Sequence, residues 1–281
     1  MLSSRFIIAA GMAAITAVTI MPVEPATARD DEQAVSGVTP ADCSSYVGQT
    51  VAVSSFAELH DALPIVTPRD RFESAADYTT RLASAELADP KPVIIRKIWQ
   101  AGDEGMSYNT DSQTLTVYGS AFGAGRTNFR EIMGLPIQRG RDNFASAIGF
   151  ELNVTQTAQE TFEATNGFGA KFAVTRTIRH IDTVWERAGE IGEDPFLGMR
   201  SGRLAILTME APVARELFEN GSAALLFVSR PPFRDSGTST IGAEFSRPRE
   251  RQDNVDVLIG DIQCGFLLNA QDQVTHAFTT K

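Results

Sequence analysis

Cys43 and Cys264 stand near opposite ends of the chain and are its only cysteines. If they are joined, every element between them folds inside one covalent loop, and the segment around Cys43 lies against the segment around Cys264. In the chain-entropy model so long a closure is worth at most about 5 kcal/mol. In an exported protein two cysteines most simply form one disulfide; two buried free thiols are the alternative. No Cys-x-x-Cys is present, so the bridge reads as a staple and not as a redox centre. The constraint therefore turns on export.

Residues 1–28 read as a secretory signal peptide. Arg5 supplies the positive start, Phe6 to Ile20 is a nearly unbroken run of apolar and small residues, and Pro22 and Pro25 break it. Ala26-Thr27-Ala28 then offers small residues at a cleavage site. A membrane anchor is the alternative, but the run is short for a span of ~20 residues and ends at prolines, not at a basic stop. Cys43 follows Pro40-Ala41-Asp42 and not the apolar run, which argues against a lipid anchor. No other stretch is long and apolar enough to cross a membrane. Removing residues 1–28 leaves the net charge at −10, since Arg5 and Glu24 cancel. So acidic a chain argues against nucleic acid as a partner, because phosphate binding depends on Lys and Arg.

Residues 29–42 are polar and aperiodic and read as a flexible N-terminal arm. Residues 43–281 read as a single α+β domain, with a helical subregion over 54–90 and a β-rich region over 92–281. In the first, Ser55 and Glu58 have capping-box spacing, and Pro64 ends the helix they start. The stretch Phe72-Glu-Ser-Ala-Ala-Asp-Tyr-Thr-Thr-Arg-Leu82 looks like a motif but has a structural task for every residue. Ser74 caps, Glu73 meets the positive helix end, Tyr78, Leu82 and Ala85 form a docking stripe, and Asp77 pairs with Arg81.

Strand material follows: Tyr46 to Val53, Pro92 to Trp99, a hairpin over 106–119 turning at Asn109 to Ser112, Ala145 to Thr157, Ala170 to Trp185 and Arg203 to Met209. A helix over 211–219 starts at Pro212 and stops at Asn220-Gly221, leading into the strand 223–230. Val255 to Asn269 and Gln273 to Phe278 close the chain as two strands. Two segments rich in arginine, 119–144 and 231–254, read as long loops. The fold class is α+β, a largely antiparallel sheet with two or three packed helices.

The chemistry-bearing motifs are incomplete. His60, His180 and His276 lie in separate contexts with no paired spacing, so no metal ligands are assigned. His180, among Arg176, Arg179 and Asp182, reads first as a solvated or salt-bridged strand histidine and second as a general base. Gly119-Ser120-Ala-Phe-Gly123 lacks the spacing of a nucleophile elbow. Gly123-Ala-Gly125 and Gly167-Phe-Gly169-Ala-Lys171 read as turns, not as nucleotide loops. Asp103-Glu104 and Glu193-Asp194 are acidic pairs in loops, and Arg126, Arg130, Arg139 and Arg141 can line an anion site but read first as solvated charges. No catalytic residue and no cofactor is assigned.

Four stretches carry a resemblance: Phe72-Glu73-Ser74-x-x-Asp77-Tyr78-x-x-Arg81; Tyr108-Asn-x-Asp111-x-x-x-Leu115-Thr-Val117; Asn166-Gly-Phe168-Gly169-Ala-Lys171; and the helix–strand unit Ala211 to Ser229. In these the chain resembles a loose group of uncharacterised exported bacterial proteins. The resemblance implies export and no particular reaction, ligand or catalytic residue. The functional expectation is a non-catalytic binding or accessory module of the cell envelope, whose partner is a protein or a cell-wall component. The alternatives are a hydrolase whose Asp and Glu residues converge only in the fold, and a small-ligand-binding protein.

Overall fold

The computed structural model describes residues 42–85, 87, 89–99, 105–128, 146–186, 202–244 and 246–279, all within one contact-dense unit, Pro40–Lys281. The proposed signal peptide, most of the N-terminal arm, both acidic loop pairs, and Arg130, Arg139 and Arg141 lie outside the described residues.

The helices start where their caps predict. Helix α1 (Phe56–Ala62) has the Ser55 side chain accepting from the Glu58 amide, and it ends just before Pro64. In α2 (Ala75–Ser84) the Ser74 hydroxyl accepts from the Asp77 amide at 3.1 Å, and Tyr78 is buried. Arg81 does not pair with Asp77 as expected. It reaches back to Glu73 at 2.8 Å and to the carbonyls of Thr67 and Pro68, tying the helix to the segment before it. The arginine bond holds the Glu73 carboxyl below its ordinary range. Helix α3 (Ala211–Asn220) has Pro212 in its first turn and Gly221 after its end.

The strands form two sheets. The larger runs β1 (Val53–Ser54), β2 (Val93–Lys97), β9 (Ser222–Ile241), β10 (Arg249–Leu268), β7 (Lys171–Glu186), β6 (Ser146–Thr165) and β5 (Ala124–Asn128), with β11 (Val274–Thr279) also paired to β10. The smaller is β3 (Met106–Asn109), β4 (Thr114–Tyr118) and β8 (Arg203–Thr208). Four sequence expectations about the strands need correction. The large sheet is mixed, since β10 lies parallel to β7 and β1 parallel to β2. Segment 231–254 is no long loop: β9 runs through Ile241 and β10 begins at Arg249. The described part of 119–144 is a 3-10 turn, Gly119–Phe122, followed by β5. Residues 46–53 also contribute less strand than expected, only the two residues of β1 and an isolated Thr50–Gln273 bridge.

The main core lies between the large sheet and a layer made of the small sheet and the three helices. Phe150, Leu225, Phe227, Leu258 and Leu267 meet Leu63, Leu115, Val117 and Leu217 there. The other face of the sheet's near half is closed by the 3-10 turn Cys43–Tyr46 over Leu226, Cys264, Phe266 and Val274. The disulfide joins Cys43 to Cys264 in this second layer, with Cα atoms 5.7 Å apart, so the bridge lays the start of the described chain on the C-terminal hairpin as the sequence requires.

Strands β9 and β10 change character along their length. Leu258 faces Arg234 while Gly260 faces Ser229, so Arg230–Phe233, with the cis Pro231–Pro232 bond, bulges opposite Ile259. The bulge drives Phe233 fully into the main core. Gly260 allows the close approach at this bend: a Cβ there would lie 2.1 Å from the Val228 carbonyl oxygen. Beyond the bend the hairpin joins β7 and β6 in a four-stranded ribbon, β9-β10-β7-β6.

Candidate functional site

Side chains on a strand alternate between faces, and the register therefore sorts this ribbon. One face carries, row by row, Phe150, Val184 and Leu258; then Asn153, Asp182, Asp256 and Ser236; then Thr155, His180, Asn254 and Thr238; then Ala158, Ile178, Gln252 and Thr240; and further out Glu160, Arg176 and Glu250. The first row belongs to the main core. The polar rows thus begin one step beyond the rim of the core, on the same surface. The opposite face carries Val154, Ile181, Trp185, Val255, Val257 and Ile259, an apolar cluster. Arg179 lies on that second face with Asp253, so its nearness to His180 in sequence does not make it a neighbour in the site.

Three side chains of types able to ligate a metal converge in the polar rows. His180 Nε2 lies 3.0 Å from Asp182 Oδ1 and 3.5 Å from Asp256 Oδ2. One ligand atom from each residue falls within 4.8 Å of the other two. Asn153 Nδ2 donates to the second oxygen of Asp182 at 3.1 Å and fixes the carboxylate plane. Side-chain exposures of 37% for His180, 18% for Asp182 and 31% for Asp256 mean that the cluster is held by its neighbours yet open to solvent. The local cause is plain: His180 and Asp182 are two apart on β7 and share a face, and the parallel register sets Asp256 directly beside Asp182.

The charges around this cluster are matched in pairs. Arg176 bridges Glu160 and Glu250 across three strands. Arg179 donates two bonds to Asp253, of 2.7 and 2.9 Å, and Arg251 adds a third contact at 3.1 Å. Lys171 meets Glu163 at 2.7 Å near the hairpin tip. Among the described residues neither Asp182 nor Asp256 meets a lysine or arginine. Like charges directly opposite on neighbouring strands destabilise a sheet, and a cation held between the two carboxylates would relieve that repulsion.

A second group of charges lies where α1 meets β9. His60 is buried, with Nε2 3.3 Å from the Asp235 carbonyl oxygen and Nδ1 3.4 Å from Arg234. Burial pushes the Asp235 carboxyl up to about 6, opposed by the hydrogen bond its side chain accepts from the Ser236 amide. His276, on β11, is half-buried and pushed below its ordinary range by desolvation, which favours the neutral ring. His60 thus serves local hydrogen bonding, whereas the buried Nδ1 of His276 meets no hydrogen-bond partner among the described residues.

The other described sequence candidates lie outside this cluster. Ser120 is in the 3-10 turn, and Gly123 caps it with φ 79° where a Cβ would meet the Glu151 carbonyl oxygen at 2.1 Å. Asn166 to Ala170 is the β6–β7 turn, held by the Asn166 side chain accepting from the Phe168 and Ala170 amides. Arg126 is on β5, away from the rows above. A shallow cavity of about 260 Å³ along α3, lined by Ala211, Pro212, Arg215, Glu216 and Glu219, includes none of the convergent residues. Comparison with protein-family models, curated proteins and solved structures finds no match for this chain.

Proposed function

We propose that the protein is an exported, non-catalytic binding module of the cell envelope, and that it engages its partner through the polar face of the ribbon. The observation that carries this reading is the arrangement of that face. Asn, Thr, Ser, Gln and paired charges are set out in register across four adjacent strands, half-exposed and anchored at one end in the core. Asn254 accepts from Thr238 and Gln252, and Arg176 joins acids from both neighbouring strands, so the side chains are positioned before any partner arrives. Preorganised polar groups lower the ordering cost of association. A broad hydrogen-bonding sheet face, with no cavity formed by its side chains among the described residues, suits a protein or a cell-wall polymer better than a small molecule, which needs a concave site.

Export is supported by the features of residues 1–28, by the resemblance to exported bacterial proteins, and by a disulfide that persists in an oxidising compartment. Among the described residues no helix is long and apolar enough to cross a membrane.

The test is site-specific photo-crosslinking in intact cells. Crosslinkers at Thr155 and Thr238, on the polar face, are expected to give the same defined adduct in the envelope fraction. One at Thr177, on the opposite face, is not. Equal adducts from all three positions, or none from the first two, would remove this face from the partner's footprint. Retention of the chain in the cytoplasm would separately remove the export half of the reading.

A further inference from the structure

We propose that His180, Asp182 and Asp256 hold one first-row divalent transition cation, of the zinc or manganese class, on the polar face of the ribbon, with Asn153 as the positioning residue. The inference deepens the reading of this face as a binding surface and identifies what gives it a fixed point.

Three observations converge on it. The first is geometry: an imidazole nitrogen and two carboxylate oxygens approach one another within 4.8 Å from adjacent strands. Bonds of about 2.0–2.2 Å from zinc to nitrogen and oxygen fit a cation placed among three such donors with only small side-chain rotations. The second is charge. Arg176, Arg179 and Lys171 neutralise acids elsewhere on the ribbon, while Asp182 and Asp256 face each other in register with no lysine or arginine beside them among the described residues. The third is support from behind. Asn153 donates to the Asp182 oxygen that does not face His180, the arrangement by which an outer hydrogen bond orients a ligating carboxylate.

Donor chemistry narrows the class. Calcium seeks six to eight oxygen ligands and magnesium keeps most of its own water. One imidazole with two carboxylates favours a first-row transition cation instead. Three protein donors on an open face leave coordination positions toward solvent, where water or a donor atom of the partner can bind. The cation would then be the point at which a carboxylate-bearing or hydroxyl-bearing partner is gripped.

The experiment is calorimetric titration of the full, disulfide-bonded chain with zinc chloride and manganese chloride after chelator treatment, with calcium chloride as the comparison. The expected result is one equivalent of zinc or manganese bound, with affinity at least about tenfold lower in His180→Gln and in Asp182→Asn/Asp256→Asn. Asn153→Ala should weaken binding by about 10- to 100-fold. Glu163→Gln, near the hairpin tip and outside the polar rows, should leave it unchanged. Should a variant fail to fold, the unaltered chain still decides. Substoichiometric Mn²⁺ must broaden the ring signals of His180 before those of His60 and His276. Absence of stoichiometric binding, unchanged affinity in His180→Gln, or broadening that starts at another histidine would each overturn the proposal. Because no partner takes part, failure here is distinguishable from failure of the crosslinking test; repeating that test with and without chelator links the two.

Discussion

The β9–β10 hairpin is two structures built from one pair of strands. Its near half, Ser222–Ser229 against Gly260–Leu268, is almost wholly buried, with one apolar layer above it and another below. In its far half, Arg234–Ile241 against Arg251–Leu258, the β9 strand is half-buried to exposed throughout, and β10 carries polar rows on one face and buried Val255 and Val257 on the other. Hydrophobic burial on both faces supports the first half; one apolar cluster, shared with the flanking β7, together with cross-strand ion pairs and hydrogen bonds supports the second. The bulge at Arg230–Phe233 and the bend at Gly260 divide them. A continuous strand can thus be core at one end and working surface at the other.

The sharpest way to break this division is a pair of substitutions on β10. Phe266→Ala, in the near half, should cost about 3–5 kcal/mol, the usual price of emptying an aromatic site in a core. Gln252→Ala in the far half should fall within about 0.5 kcal/mol of the unaltered chain. Urea unfolding of both variants measures the contrast, and comparable losses would mean that the hairpin is one cooperative unit without an internal boundary. Next comes Arg179→Ala. It removes two hydrogen bonds from the buried Asp253 but leaves Arg251 in place, for an expected loss of about 2 kcal/mol. A loss near zero would show that Arg251 alone satisfies the carboxylate.

Asp235 tests the boundary itself, through pH. Its carboxyl is pushed up to about 6, so the fold prefers the protonated form. That contribution is fully present below the ordinary aspartate range and is lost as pH rises through about 6. Asp235→Asn should therefore stabilise the protein at pH 7.5 by about 1–2 kcal/mol, a value reduced for partial solvent screening, and change little near pH 4. Thermal unfolding at the two pH values decides; equal effects at both would mean that the carboxylate's burial is not the cause. The smallest effect belongs at the tip of the ribbon. Lys171→Ala breaks an exposed pair with Glu163 and should cost no more than about 0.5 kcal/mol.

Local signals in the sequence reached the helices and most strands, because caps, prolines and hairpin turns act within a few residues. Ser55, Ser74, Pro64, Pro212 and Gly221 mark the boundaries that the structure places there. The far half of the hairpin was hidden for the same reason. Pro231-Pro232 and the Ser, Thr, Gly and Arg residues after them have the composition of a loop, and only pairing with β10, itself seated on the distant β7, makes them a strand. Arg81 shows the limit on a smaller scale: its helix spacing favoured Asp77, while the chain before the helix offered Glu73 and two carbonyls. The candidate site was half legible. His180-x-Asp182 in a strand already puts both side chains on one face, but Asp256 and Asn153 join them through a register that no local pattern encodes.

The disulfide also decides how the molecule bears tension. A pull applied outside Cys43 and Cys264 passes through the Cys43–Cys264 bond and bypasses the strands from β1 to β9 and most of β10. Only β11 and the last residues of β10, Gly265 to Leu268, lie beyond Cys264 and can be peeled away. With the bond reduced, the same pull loads the large sheet from its first strand. An oxidised molecule tethered at both ends would therefore extend by little more than the length of its tails, and its polar face would stay assembled under load.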